Sequence, residues 1–390
     1  VTAGPAAASP AIAPERRSDL GGTATLLLIY LASRLIVAVA TASVASLNLS
    51  GARCGESVSI RIEGYAGLAR CWDTEWYLRV ATDGYPHGLP ADGGPTTLAF
   101  FPGYPALIAV GRGVGLSPLV AALLVSLVAG AVATVLVERM AQHVTTPEAA
   151  RRAAILFALF PGAVVFSWGY TEALAAALAG VCLLALNKGR WWLAGVGGAL
   201  AGTIRADVGL ALTVAGLVAA VVAVRRRGEW QAVTTVVLAP LGVLGYLLFV
   251  WLWTGSPTTW SQTQSEGWDQ HMDWGKHALI SLGGVLRPWA SPSRAVLVLA
   301  VLMLAVGVIA LVRYRMPASW TAYVVVLVGV ALVSSQVGFR PRAEVLLLPE
   351  FVAAGIWVPP RLMLWIVPAL ATAQALLTVL WLGAPLIAPP

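Results

Sequence analysis

Runs of about 20 apolar residues alternate with short polar breaks along nearly the whole chain, the pattern of helices that cross a bilayer. An apolar helix satisfies its own backbone hydrogen bonds, so such runs can span where other structures cannot. On this basis the sequence predicts about eleven spans, over residues 22–46, 117–140, 153–169, 171–187, 191–204, 208–224, 230–253, 295–312, 318–337, 345–358 and 362–382. The spans flanking Arg205 and Asp207 are short. Two polar stretches are long, 47–116 and 254–294, and the first holds an interruption from Cys71 to Tyr85 with Asp73 and Glu75 set among Trp72, Trp76 and Tyr77. From Asp73, the residues Trp76, Tyr77, Val80 and Gly84 follow at helical spacing, so the carboxylate and the rings share one face. This predicts a helix lying in the membrane interface with its rings at headgroup level. A Gly- and Pro-rich loop over 89–95 precedes a second interfacial helix over 100–111.

Composition agrees with the pattern. Hydrophobic residues make up 58% of the chain and charged residues 11%, whereas soluble domains carry about 25% charged residues. The expected fold class is an all-α polytopic membrane protein. Net charge is +7, and the cations gather in short breaks between apolar runs: Arg16, Arg17, Arg139, Arg151, Arg152, Lys188, Arg190, Arg225, Arg226, Arg227, Arg313, Arg315 and Arg361. The positive-inside rule places those breaks and the N-terminus in the cytosol. The charge therefore reports topology and gives no reason to expect a nucleic-acid partner. Residues 1–19, rich in Ala and Pro, read as a disordered cytosolic tail, and 20–390 as a single membrane domain of a multi-pass plasma-membrane protein.

With that orientation, the polar clusters all fall on the outer side: Asp73 and Glu75, Tyr170 to Glu172, Arg205 and Asp207, the 260–289 loop, and Arg340, Arg342 and Glu344. One extracytoplasmic site built from several loops is expected. Asp73 is either a catalytic carboxylate or a helix cap. Glu75, two residues on, points elsewhere and reads as solvated. Arg205 with Asp207 is either a structural ion pair or a phosphate contact. Arg340 and Arg342 suit a phosphate headgroup, because guanidinium offers planar bidentate donors, and they equally suit anchoring to anionic lipid. His87 is a single histidine in the long loop. His271, Asp273 and His277 lack the spacing of a compact metal site, so no metal or other cofactor is indicated, although a divalent ion stays possible. No Asp-x-Asp motif, phosphate-binding glycine loop or nucleophile elbow argues for a soluble nucleotide donor. Cys54 and Cys71 share the first long loop and are candidates for a disulfide, while Cys182 lies within a span.

These residues resemble the PIG-V type mannosyltransferases, membrane glycosyltransferases of the GT-C class that use a polyprenyl-phosphate sugar. The resemblance rests on Trp72-Asp73, Trp76-Tyr77, Ala81 and Gly84-Tyr85, then Ala99 to Pro102 and Tyr104-Pro105. It continues through Ser33-Arg34, Phe160-Pro161, Phe166-Ser167, Tyr170 to Glu172, Thr203 to Arg205, Gln264, Trp268, Arg340 and Pro349. It implies a GT-C-like helical bundle in which Asp73 acts in catalysis. Glu172, Arg205, Gln264, Trp268 and Arg340 are then expected around the donor and acceptor. Trp72, Trp76, Tyr77, His87, Tyr170 and Asp207 join them as substrate contacts, and Arg205, Arg340 and Arg342 take the donor phosphate. One departure stands out: between Gly84-Tyr85 and Phe100-Phe101-Pro102 the family often has an acidic residue, where this chain has His87, Asp92 and extra glycines.

The expected reaction moves mannose from a polyprenyl-phosphate donor to a lipid or glycan acceptor, with inversion. The Ala, Val and Arg bias resembles that of actinobacterial chains, in which a eukaryotic GPI anchor is not the acceptor. A transporter or flippase for a lipid-linked sugar is the alternative, and a non-catalytic envelope subunit a third reading. A transporter favours ionisable groups toward both faces and repeated halves, which the one-sided clusters here do not match.

Overall fold

The structure, a computed structural model, describes residues 20–47, 64–285, 292–335 and 340–383. The expected tail over 1–19 and Cys54 lie outside the described residues. Among the described residues the regular structure is helical, apart from one isolated antiparallel bridge between Met272 and Ser334. In order come α1 (Leu20–Ser46), α2 (Gly64–Ala69), α3 (Asp73–Asp83), α4 (Gly103–Gly113), α5 (Pro118–Val144), α6 (Pro147–Leu159), α7 (Glu172–Asn187), α8 (Trp191–Gly202) and α9 (Ala206–Arg227). Then follow α10 (Val233–Leu238), α11 (Leu241–Thr254), α12 (Thr259–Gln262), α13 (Lys276–Val285), α14 (Pro292–Arg313), α15 (Ala318–Val333), α16 (Pro341–Glu344), α17 (Leu348–Trp357) and α18 (Pro360–Gly383).

Each expected span overlaps helix, but against the roughly eleven expected, five stretches among the described residues are long and apolar enough to cross a membrane: Gly21–Ser46, Pro118–Val144, Ala206–Arg227, Trp230–Thr254 and Pro360–Gly383. A bent pair, Pro147–Leu159 with Pro161–Ser167, makes a sixth. The apolar helices α7, α15 and α17 are shorter. The span expected at 153–169 breaks by 67° because Pro161 offers no N–H to continue the ladder. The α6 carbonyls left open there find side-chain donors. Gln374 of α18 donates to Ala158 O and Phe160 O at 3.1 and 2.9 Å, and Arg34 of α1 donates to Ala158 O at 3.1 Å and to Ala163 O.

Helix α1 shows how apolar residues divide between protein and surroundings. Leu28, Leu31, Leu35 and Val39 are exposed on one stripe, while Leu26, Tyr30, Ser33, Arg34, Val37 and Thr41 are buried on the other. An aliphatic stripe of that kind is suited to lipid, and a small or polar one to helix contact. The interior is built by α5 against α6 and α7, α7 against α8, α9 against α15, and α6 against α17. Small residues set the close approaches. A Cβ at Gly242 of α11 would strike the Ala199 carbonyl of α8.

The two helices expected in the first long loop form as α3 and α4. One expectation is corrected: the α3 rings do not face outward, since Trp76 and Tyr77 are 6% and 7% exposed. They pack against Phe100, Tyr104 and Trp268, because partner rings from α4 and the 254–294 stretch cover that face.

Candidate active site

The site begins at Trp72. Its φ of 56° is uncommon for a bulky residue, and it turns the chain so that Asp73 opens α3. Asp73 Oδ2 meets Arg342 Nη1 of α16 at 2.5 Å. Arg342 also lies over the Tyr170 ring at 5.4 Å and sets its Nε 3.8 Å from Glu172 Oε1, at the start of α7. That same carboxylate oxygen accepts from Arg205 Nη1 at 3.0 Å. Arg205 in turn grips Asp207 with two bonds of 3.1 and 2.8 Å at the start of α9. Five charged side chains from four separate elements thus form one continuous network, with Glu172 shared between the arginines.

What sets α16 in place is the turn after Pro161. A Cβ at Gly162 would collide with the Pro341 carbonyl, so a glycine is needed for that turn to support the residue between the two arginines. Burial works to lower the Arg342 and Arg205 guanidinium pKa values, but the surrounding carboxylates outweigh it and hold both above the usual range. Arg340 differs: burial and then the neighbouring Arg342 charge lower it. It nevertheless interacts with other groups and is not isolated.

Beside the charges lies an aromatic floor. Trp76 stacks on Phe100 at 5.8 Å, and Trp268 meets both rings edge-on, at 5.1 and 5.3 Å. Trp72 packs against Trp168 at 6.0 Å. The indole N–H groups of Trp72, Trp168 and Trp268, and Glu172 Oε2, are buried without hydrogen-bond partners among the described residues. Such groups are costly to leave unmade, and donors beside ring faces are what a hydroxylated ligand requires.

The structure therefore brings together Asp73, Trp72, Tyr170, Glu172, Arg205, Asp207 and Arg342. Tyr77 reaches Thr171 Oγ1 at 3.4 Å behind them. Gln264 donates to Ala99 O at 3.4 Å, supporting the aromatic side with Trp268. His87 is not in the network: it stacks on Trp253 at 4.2 Å. Glu75 is corrected. It is 7% exposed rather than solvated, clamped between Arg70 and Arg79 at 2.9 and 3.3 Å, because the i+2 direction that takes it away from Asp73 turns it toward its own flanking cations. Cys71 is buried, with its candidate partner outside the described residues. Among the described residues no three His, Cys, Asp or Glu side chains cluster as metal ligands.

Sequence reasoning missed Trp168, Arg34 and Gln374 as site or support residues. Trp168 stands two positions before Tyr170, a signal available in the sequence. Gln374 gave no signal beyond being an amide in an apolar run.

The family described as Mannosyltransferase (PIG-V) matches residues 22–220. The chain belongs to that family. The matched stretch contains Asp73, Glu172, Arg205 and Asp207. Among curated relatives, the mouse GPI alpha-1,6-mannosyltransferase 2 is 32% identical over 158 residues, which is 37% of this chain and 30% of the mouse protein. The rat protein of that name is 32% identical over 163 residues, 39% of this chain and 32% of its own length. The alignments thus span only about a third of these relatives. Among solved structures, ArnT from Cupriavidus metallidurans bound to undecaprenyl phosphate superposes with a TM-score of 0.53 at 14% identity, covering 87% of this chain and 61% of ArnT. That likeness concerns fold alone. This PIG-V family member is an integral multi-pass membrane protein whose fold resembles that of ArnT.

Proposed function

We propose that the protein transfers mannose from a polyprenyl-phosphate donor to a lipid or glycan acceptor on the extracytoplasmic face, inverting the anomeric carbon. The observation that carries this reading is the 2.5 Å contact between Asp73 and Arg342 within a network that also holds Glu172, Arg205 and Asp207. In this reading the donor phosphate competes with Asp73 for Arg342 and Arg340. Binding therefore frees an Asp73 oxygen to receive the acceptor hydroxyl on the face of the sugar opposite the phosphate. The acceptor hydroxyl gives its proton to Asp73 as its oxygen forms a bond to C1. The C1–O bond to phosphate breaks, and the lipid phosphate leaves with the electron pair. A leaving phosphate needs charge stabilisation rather than a proton, which fixed guanidiniums supply without reorganising. The carboxylates also favour the positive charge that develops on the sugar, as in glycoside hydrolysis. The aromatic floor of Trp76, Phe100 and Trp268 takes the sugar ring.

The test is transfer of radiolabelled mannose from polyprenyl-phosphate mannose to a lipid and glycan extract by purified protein, with Asp73→Asn in parallel. Transfer by wild type alone, with both proteins folded, is expected. Comparable transfer by Asp73→Asn removes Asp73 from the chemistry. Net movement of intact lipid-linked sugar without transfer identifies a flippase instead.

A further inference from the structure

The Asp73–Arg342 contact joins two compartments of different chemistry. On the α3 side are the rings of Trp76, Phe100 and Trp268. On the α16 side is a pocket reaching between α14 and α15. Leu304, Leu327 and Val328 form its aliphatic wall, and Asp207, Arg340 and Glu344 its polar end. None of the described residues lining this pocket is aromatic.

Glu344 is the anomaly. Its side chain is 7% exposed, and Oε1 is buried without a hydrogen-bond partner among the described residues. The network described above engages Asp73, Glu172 and Asp207 with arginine, yet Glu344, on the same short helix as Arg342, takes no part in it. Glu350, the acid that acts on it electrostatically, lies against Gly307 of α14 and likewise has a buried oxygen without a partner among the described residues. A carboxyl kept in an apolar wall costs stability unless something bonds it.

We propose that Glu344 is a hydrogen-bond donor to the ligand of this pocket, which together with Arg340 holds the phosphate of a phosphorylated aliphatic chain whose first carbons lie along Leu304, Leu327 and Val328. This rests on the lipid-phosphate reading above, and adds to it the donor acid and the wall along which the chain runs. Burial, and after it the Glu350 charge, push the Glu344 carboxyl well above the usual range, which favours its protonated form. A protonated carboxyl has one O–H to give, and a phosphate oxygen accepts it; an ionised one at the same place would repel the phosphate. The division of side chains follows the division of the substrate. Rings stack on sugars, whereas branched aliphatic side chains pack against an isoprenoid and take its carbons out of water.

The experiment measures binding of farnesyl phosphate to purified protein in nanodiscs, with farnesol and inorganic phosphate as separate arms. Farnesyl phosphate should bind at least about tenfold more tightly than either half, since it alone satisfies both ends. Glu344→Gln, which keeps a neutral donor, should stay within about twofold of wild type, and Glu344→Ala should weaken binding about tenfold. Ala331→Phe adds a ring inside the same pocket and should weaken binding comparably with Glu344 in place, so the proposal remains testable if Glu344→Ala fails to fold. Four results overturn the proposal: no binding to wild type, wild-type affinity in Glu344→Ala, Glu344→Gln as weak as Glu344→Ala, or wild-type affinity in Ala331→Phe. Because no sugar is transferred in this assay, a protein that binds farnesyl phosphate but fails the mannose-transfer test loses the proposed reaction and keeps the pocket. The reverse result keeps the reaction and loses Glu344.

Discussion

Glu172 is the residue on which the charge network depends, since one of its oxygens faces both Arg205 and Arg342. Its side chain is 1% exposed and the arginines are 20% and 19% exposed, so little solvent is available to replace it. Removing one partner of a buried pair costs about 3–5 kcal/mol. Glu172→Ala should therefore lower the unfolding free energy by about that amount, seen as a large loss of folded protein in a thermal ramp. A ramp indistinguishable from wild type shows that Asp73 and Asp207 alone compensate the arginines. Glu344 carries a pH signature of opposite character. Its folded pKa lies above the unfolded value of about 4.3, so the folded state holds the extra proton. Stability then falls as pH rises from the unfolded toward the folded pKa. Glu344→Gln should be more thermostable than wild type near neutral pH and level with it at about pH 4. Glu350, Arg340 and Asp207 are the charged or titratable neighbours whose presence shapes that curve. A difference that does not change with pH means that Glu344 titrates normally.

At the scale of elements, the break after α6 is the feature that builds the site. Arg34 and Gln374 hold its open carbonyls, and Gly162 lets the following turn sit under Pro341. Gly162→Ala places a methyl against a backbone carbonyl, which cannot rotate aside, so α16 must shift and carry Arg342 off Asp73. A displacement of about 1 Å can cost on the order of a hundredfold in rate. Mannose transfer by Gly162→Ala should fall by about that factor at wild-type expression. Gly245→Ala, whose Cβ meets nothing within 4 Å, is the control and should be silent. Equal activity in the two variants means that α16 is not positioned by this turn.

For the whole molecule, the pairing of Cys54 with Cys71 can be settled by counting thiols. The chain has 3 cysteines, of which Cys182 is free and buried. Denatured protein should titrate one thiol before reduction and three after it. Three thiols without reductant exclude the bridge. Such a bridge would tie the first long loop to the residue before Trp72, adjacent to the strained entry into α3.

Helical spans and the α3 and α4 helices of the first long loop were legible from apolar run lengths and from the i, i+3, i+4 spacing after Asp73, because backbone satisfaction in an apolar setting leaves helix as the local solution. The candidates Asp73, Glu172, Arg205, Asp207 and Arg342 were legible for a related reason: an ionisable group beside an apolar run is expensive and stands out. Their partners were not. Residues 73 and 342 are brought together by the fold, and nothing local to either reveals the other. The inward turn of Trp76 and Tyr77, the ion-paired burial of Glu75 and the unpartnered burial of Glu344 depend likewise on what each side chain meets. The sequence by itself determined which stretches are helical and which residues are chemically costly. Tertiary structure alone decided which of those costs offset one another, because compensation of charge and hydrogen bonds depends on distance in space, not on position along the chain.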